Sequence, residues 1–154
     1  MKIAPSTSGA VVDERLMTSV PGIFSCGNVL HVHDLVDVVS EEARKAGANA
    51  WRFVQSQLPE GSRQVPVEMG FGVSGIVPQF VSENVKETVN FMFRPRNVYH
   101  NSRVIVEVNG EQVLSKKTMI LAPGEMVNLN IPAEKLKGLS KASSILVRIE
   151  VPEK

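Results

Sequence analysis

Two hydropathy periods run along this chain, and the change between them divides it. Beyond Leu58 the apolar positions alternate in short runs: "VPVEMGFGVSGIVPQFV", "ETVNFMFRP", "SRVIVEVNGEQVLSKKTMIL", "EMVNLNIP" and "SSILVRIEV". In "RVIVEV", Val104, Val106 and Val108 point to one face of a strand, and Ile105 and Glu107 to the other. "VNGEQV" predicts a tight hairpin, because Asn109-Gly110 suits the primed turns that need positive φ. "LAPGEM" predicts a turn centred on Pro123-Gly124, and "AEKLKGL" a single helical turn before the last strand. About six or seven short strands in roughly 90 residues predict a small antiparallel β-sandwich of immunoglobulin-like type.

Before Leu58 the pattern differs. "GAVVDE" (Gly9 to Glu14) and "GIFSCG" (Gly22 to Gly27) read as two short strands, joined by the turn-rich "RLMTSVPG". From Ser40 the period becomes helical, with Ala43, Ala46, Gly47, Ala50 and Val54 on one face. Ser40 suits an N-cap, and Glu41 and Glu42 suit the positive end of the helix dipole. Pro59 and Gly61 end the helix, and the small-residue stripe predicts close packing against a neighbour. The fold class is therefore α+β. Residues 1–57 form a β-β-α segment, 58–66 a linker ("LPEGSRQVP"), and 67–154 the sandwich.

Composition narrows the function classes. The 154 residues are 43% apolar and 21% charged, which suits a folded domain and not a disordered chain. Seventeen basic against sixteen acidic residues give +1, which argues against a nucleic-acid or anionic-membrane footprint. No apolar run approaches the roughly 20 residues of a membrane span. "MKIAPSTSG" does not read as a secretory signal. Cys26 is the only cysteine, so no internal disulfide forms, and a reducing, cytoplasmic location is expected.

The densest chemistry lies in "VPGIFSCGNVLHVHD", Val20 to Asp34. His31 and His33 share a side in an extended segment, which raises metal binding with Asp34 or Asp37 as third ligand. No second histidine or cysteine cluster closes such a site, so no metal ligand is assigned. Two further readings stand: an exposed polar loop, or a loop whose histidines exchange protons beside a cofactor. Cys26 reads as a small packing residue without a resolving partner. Trp51 and Phe53 read as packing residues of the helix, and Arg94, Arg96 and Arg103 as a solvated basic loop. "GFGVSG" matches G-x-G-x-x-G at Gly70, Gly72 and Gly75, but a proline-containing, strand-like "IVPQFV" follows where a dinucleotide fingerprint needs a helix. A hairpin or bulge is the expected context.

The order "TSVPGIFSCGNV", loop, small-residue helix resembles the end of the FAD domain in pyridine-nucleotide-disulfide-type flavoprotein oxidoreductases, over Gly9 to Phe53. That family carries T-x-x-P-x-[IVF]-[FY]-[AS]-x-G-D at this place; here Asn28 stands for the aspartate. The resemblance implies that Gly27 and Asn28 approach the ribityl or pyrophosphate part of FAD. It implies that backbone N–H groups of Ser40, Glu41 and Glu42 face the flavin pyrimidine ring. His31, His33 and Asp34 would then line the substrate or flavin side; catalytic residues are not assigned.

The family's N-terminal G-x-G-x-x-G loop and nicotinamide domain are not found in these residues. The resemblance thus implies the C-terminal part of an FAD-dependent, NAD(P)-linked enzyme, inactive and weak in FAD binding by itself. Its partners would be the N-terminal FAD/NAD(P) region and a second dehydrogenase subunit. The alternatives are a free-standing sandwich module that binds a protein partner, or a metal-binding protein. Residues 1–57 are expected to dimerise, to pack on the sandwich, or to stay partly disordered.

Overall fold

The computed structural model describes residues 1–58, 62–142 and 144–152. Pro59 and Gly61, the expected helix stop, lie outside them. The molecule is α+β: the described residues form one α-helix, short 3-10 turns and eight strands. The strands are β1 (Gln64–Met69), β2 (Val73–Val77), β3 (Phe80–Ser82), β4 (Val89–Pro95), β5 (Tyr99–Val108), β6 (Glu111–Leu121), β7 (Val127–Ile131) and β8 (Ile145–Glu150). Thus β1 begins inside the stretch expected to be linker.

The strands form a five-stranded sheet, β3-β1-β8-β5-β6, and a three-stranded sheet, β2-β4-β7. All pairs are antiparallel except β1 with β8, which run parallel, so the expected all-antiparallel sandwich is corrected at that pair. Strands so far apart in sequence have ample chain for the crossover that parallel pairing needs.

Side-chain alternation builds the core between the sheets. Val89, Phe91 and Phe93 of β4 face Val104, Val106 and Val108 of β5 and Ile145, Val147 and Ile149 of β8 within one buried cluster. The expected hairpin joins β5 to β6, with Asn109 at φ 53° and Gly110 at φ 79°. The turn at Pro123-Gly124 closes through a Glu125 N–H bond to the Ala122 carbonyl, and the helical turn falls at Ala133–Leu136. Gly70 and Gly72 lie in the turn that carries the chain from β1 to β2, and Gly75 lies in a bulge of β2. They therefore belong to sheet geometry.

The first half is less regular than expected. Instead of two strands, isolated bridges join Ile3 to Ala10, Val12 to Thr18 and Met17 to Phe24. Helix α1 runs Val36–Val54, a turn earlier than Ser40. Its start follows Leu35, whose extended backbone precedes the first turn and whose side chain offers no cap. Ser40 is therefore inside the helix, its Oγ donating back to the Val36 carbonyl at 3.0 Å.

The buried face of α1 also differs from the small-residue stripe. Glu42, Ala46 and Asn49 are buried, whereas Ala43, Gly47, Trp51 and Val54 are exposed. The helix turns polar residues inward because polar partners wait there. Asn49 Nδ2, for example, donates to the Arg15 carbonyl at 3.0 Å. Phe53 packs edge-on against Phe24, as a packing residue should, but Trp51 does not.

Residues 1–57 pack on the sandwich, one of the fates expected for them. Ala10, Val12, Leu16, Leu30 and Ala46 form a second core cluster with Val77 of β2. Val12 exchanges hydrogen bonds with Gln79, and Glu14 accepts one from the Ser82 N–H at 2.9 Å. The described α-helix is not long and apolar enough to cross a membrane.

Candidate functional site

The segment after Phe24 ends at Gly27, which opens a 3-10 turn over Gly27–Val29. Gly27 sits at φ 69°, a left-handed conformation that a Cβ would strain. This turn reverses the chain, drops the fully buried Leu30 into the second core cluster, and aims His31 at α1. Gly9 makes the turn's seat possible: a Cβ there would stand 2.0 Å from the Leu30 carbonyl oxygen.

Three donors converge on the buried Glu42 carboxylate. The Gly27 N–H donates to Oε2 at 2.5 Å, His31 Nε2 to Oε1 at 2.7 Å, and His33 Nε2 to Oε2 at 2.9 Å. A carboxylate only accepts, so both imidazoles carry hydrogen on Nε2 in this arrangement. The rings meet edge to face with centroids 4.3 Å apart. Both Nδ1 atoms are buried without a hydrogen-bond partner. Burial by itself would raise the Glu42 pKa. The hydrogen bonds from His31 and Gly27, the charge of His31 and the bond from His33 outweigh it and hold the group below its ordinary value.

Asp34 straps the same loop to the sandwich. Arg94 donates to its Oδ1, and the Met126 N–H to Oδ2 at 2.7 Å. These bonds, the Arg94 bond foremost, lower the Asp34 pKa. Arg94 also donates to the carbonyls of Val32 and Pro123, while Arg96 Nε donates to the Val73 carbonyl. The basic cluster is therefore only partly the solvated loop expected. Arg94 ties the histidine segment to β4, and Arg96 braces the β2 end.

The predicted site residues thus separate into two groups. His31, His33 and Glu42 come together inside, so the two imidazoles face a carboxylate where the resemblance placed them beside a flavin. Glu42 contributes its side chain, not its backbone N–H. Ser40, Glu41 and Glu42 lie in the second turn of α1, where backbone N–H groups bond within the helix; the unpaired first-turn groups belong to Val36, Asp37 and Val38. Asn28 is exposed, and its Oδ1 accepts from the His33 N–H at 3.3 Å. Cys26 is half-buried, and burial together with the Glu42 charge pushes its thiol pKa up, which keeps it protonated. Glu42 as the hub of the histidines had no local spacing signal. The readable cue was that Glu42, Ala46, Asn49 and Phe53 share a helix face.

A groove of about 490 Å³ lies between α1 and the outer face of the three-stranded sheet, with Glu42, Lys45, Glu87, Asn90 and Met92 on its walls. Glu14 stands at its edge. Burial first, and the Asp13 charge second, raise the Glu14 pKa against the opposing Ser82 bonds. A carboxyl with a raised folded-state pKa stabilises the fold below its unfolded pKa, and that contribution is lost as pH rises through the folded value. Glu14→Gln keeps an acceptor for the Ser82 N–H and removes the buried charge. Its thermal midpoint should exceed that of the parent near pH 8 and converge with it near about pH 4. Thermal melts across that range check this, and a lower midpoint for the variant at neutral pH would contradict it.

Comparison with protein-family models, curated proteins and solved structures finds no match to this chain.

Proposed function

We propose that this chain supplies the flavin-facing edge of an FAD-dependent, NAD(P)-linked oxidoreductase, in which the adenine- and nicotinamide-binding parts come from other polypeptide. The observation that carries the proposal is the edge around Asn28. Val29, Val32, Leu35 and Val36 are exposed apolar side chains there, next to the uncapped first turn of α1. An apolar rim beside unpaired helix N–H groups suits an isoalloxazine ring, whose pyrimidine end accepts hydrogen bonds and gains negative charge on reduction. Gly27 matches the family's glycine in the same place, and Asn28 stands for its aspartate with hydrogen-bonding groups but no charge. FAD is then the cofactor of the complete enzyme, NAD(P) its redox partner, and a second dehydrogenase subunit a further partner.

The test is an absorbance scan of the gene product as the cell makes it, with every polypeptide that co-purifies. Expected are flavin bands at one FAD per chain, and weaker retention of FAD in Asn28→Leu. A colourless preparation, or FAD held equally well after Asn28→Leu, would overturn the proposal. The second reading, a free-standing interaction module, draws on the docking of residues 1–57 against the sandwich through a shared core. A colourless, stably folded monomer would favour it.

A further inference from the structure

We propose that His31, His33 and Glu42 form a binding site for one divalent transition-metal ion of the zinc type. Their ligand atoms all lie within 4.8 Å of one another. The side chains are 4%, 1% and 3% exposed, so the set is held by packing and not by chance encounter of surface groups. Two imidazole nitrogens and one carboxylate oxygen, with a position left for solvent, are a common zinc donor set. Imidazole ligands also suit neighbouring ions of the first transition row.

Charge supplies the second argument. The Glu42 carboxylate places a negative charge in this buried cluster. Lys45, whose field reaches Glu42, is shared with Glu14, Glu87 and Asp13. Buried charges are costly unless paired or bound to a metal. A divalent ion in place of the two Nε2 hydrogens neutralises Glu42 directly. It needs ligand atoms roughly 3.3 Å apart for tetrahedral bonds of about 2.0–2.2 Å. The present spacings of 2.7 and 2.9 Å, measured across hydrogen bonds, reach that by small side-chain adjustments.

Access and the open position come from two hollows. Glu42 lines the groove between α1 and the sheet. His33, with Asp34, Val38 and Met126, lines a cavity of about 60 Å³, room for a coordinating water at about 30 Å³ per molecule. The site stands independently of the flavin proposal, because its ligands are buried side chains whereas that proposal rests on exposed ones.

The test titrates Zn²⁺ and Co²⁺ into the chelator-stripped protein. Expected are saturable one-to-one binding by calorimetry, a raised thermal midpoint, and visible Co²⁺ ligand-field absorption. Only three histidines exist in the chain, so nitrogen NMR of the imidazoles reads the ligands in the unaltered protein. His31 and His33 should shift with Zn²⁺, and the exposed His100 should not. His33→Ala should lose more affinity than the roughly 10–100-fold that removal of an outer-shell partner costs, and His100→Ala should lose none. The absence of one-to-one binding by the unaltered protein, or imidazole shifts confined to His100, would overturn the proposal. Because neither measurement depends on a variant folding, a misfolded His33→Ala does not blunt the test.

Discussion

Glu42→Ala is expected to lower the thermal midpoint by about 6–12 °C in the presence of a chelator. The carboxylate receives hydrogen bonds from the Gly27 N–H, His31 and His33, all in a buried setting. Removing it strands these donors, and the cost of breaking such a network is about 3 kcal/mol. For a chain of this length each kcal/mol shifts the midpoint by roughly 2–4 °C. Glu42→Gln should cost less. It keeps the volume and an amide oxygen that accepts from Gly27 and His33, and His31 can change tautomer to accept from the new amide N–H. Differential scanning calorimetry of the three proteins gives the order, parent above Gln above Ala. An alanine variant as stable as the glutamine variant would show that the network does not hold the Gly27 turn to α1.

Phe91→Ala is expected to remove about 3–5 kcal/mol of folding free energy. Phe91 is fully buried at the middle of β4, paired with Leu129 of β7, and inside the main core cluster. Truncation loses the transfer free energy of the ring and leaves a void that two hydrogen-bonded sheets collapse into poorly. Total stabilities of about 5–15 kcal/mol make this a large fraction. The expected reading is a lower urea midpoint with an unchanged slope. Asn90→Ala, next door on the opposite face of β4, should change stability far less. A Phe91→Ala loss below about 1.5 kcal/mol would place Phe91 outside a close-packed core.

Much of the sandwich was legible because strand alternation is a local record of burial. Val104, Val106 and Val108 read to one face before any pairing is known, and all three lie in the main core cluster. Asn109-Gly110 announced its hairpin through its tolerance of positive φ. Pairing partners were not legible. Nothing in β1 or β8 tells that they lie side by side and parallel, because register between distant segments depends on the whole sheet.

The first half was harder for a definite reason. Its helix buries Glu42 and Asn49, so an apolar count finds the wrong face. The stripe of Ala43, Gly47 and Val54 lies towards solvent, while Ala46 alone of that stripe is well buried. Ser40 carried a capping signal, yet the loop strapped by Asp34 to Arg94 and Met126 delivers the chain into α1 at Val36. A cap is worth about 1 kcal/mol, and tertiary anchoring of the entering chain overrides it. His31 and His33 were visible as chemistry, but their carboxylate partner lay nine and eleven residues away with no periodic link.

By itself the amino-acid order determined the α+β class, the core-facing valines of β5, the main hairpin, and a glycine-amide turn followed by two histidines. Those features are encoded in neighbouring residues, where steric limits on φ and the period of side-chain direction act directly. Tertiary structure decided where the helix begins, which of its faces is buried, and that Glu42 gathers both imidazoles and the Gly27 N–H. Such convergence arises only when the loop, the helix and the sandwich meet, because buried polar groups choose partners by proximity in space.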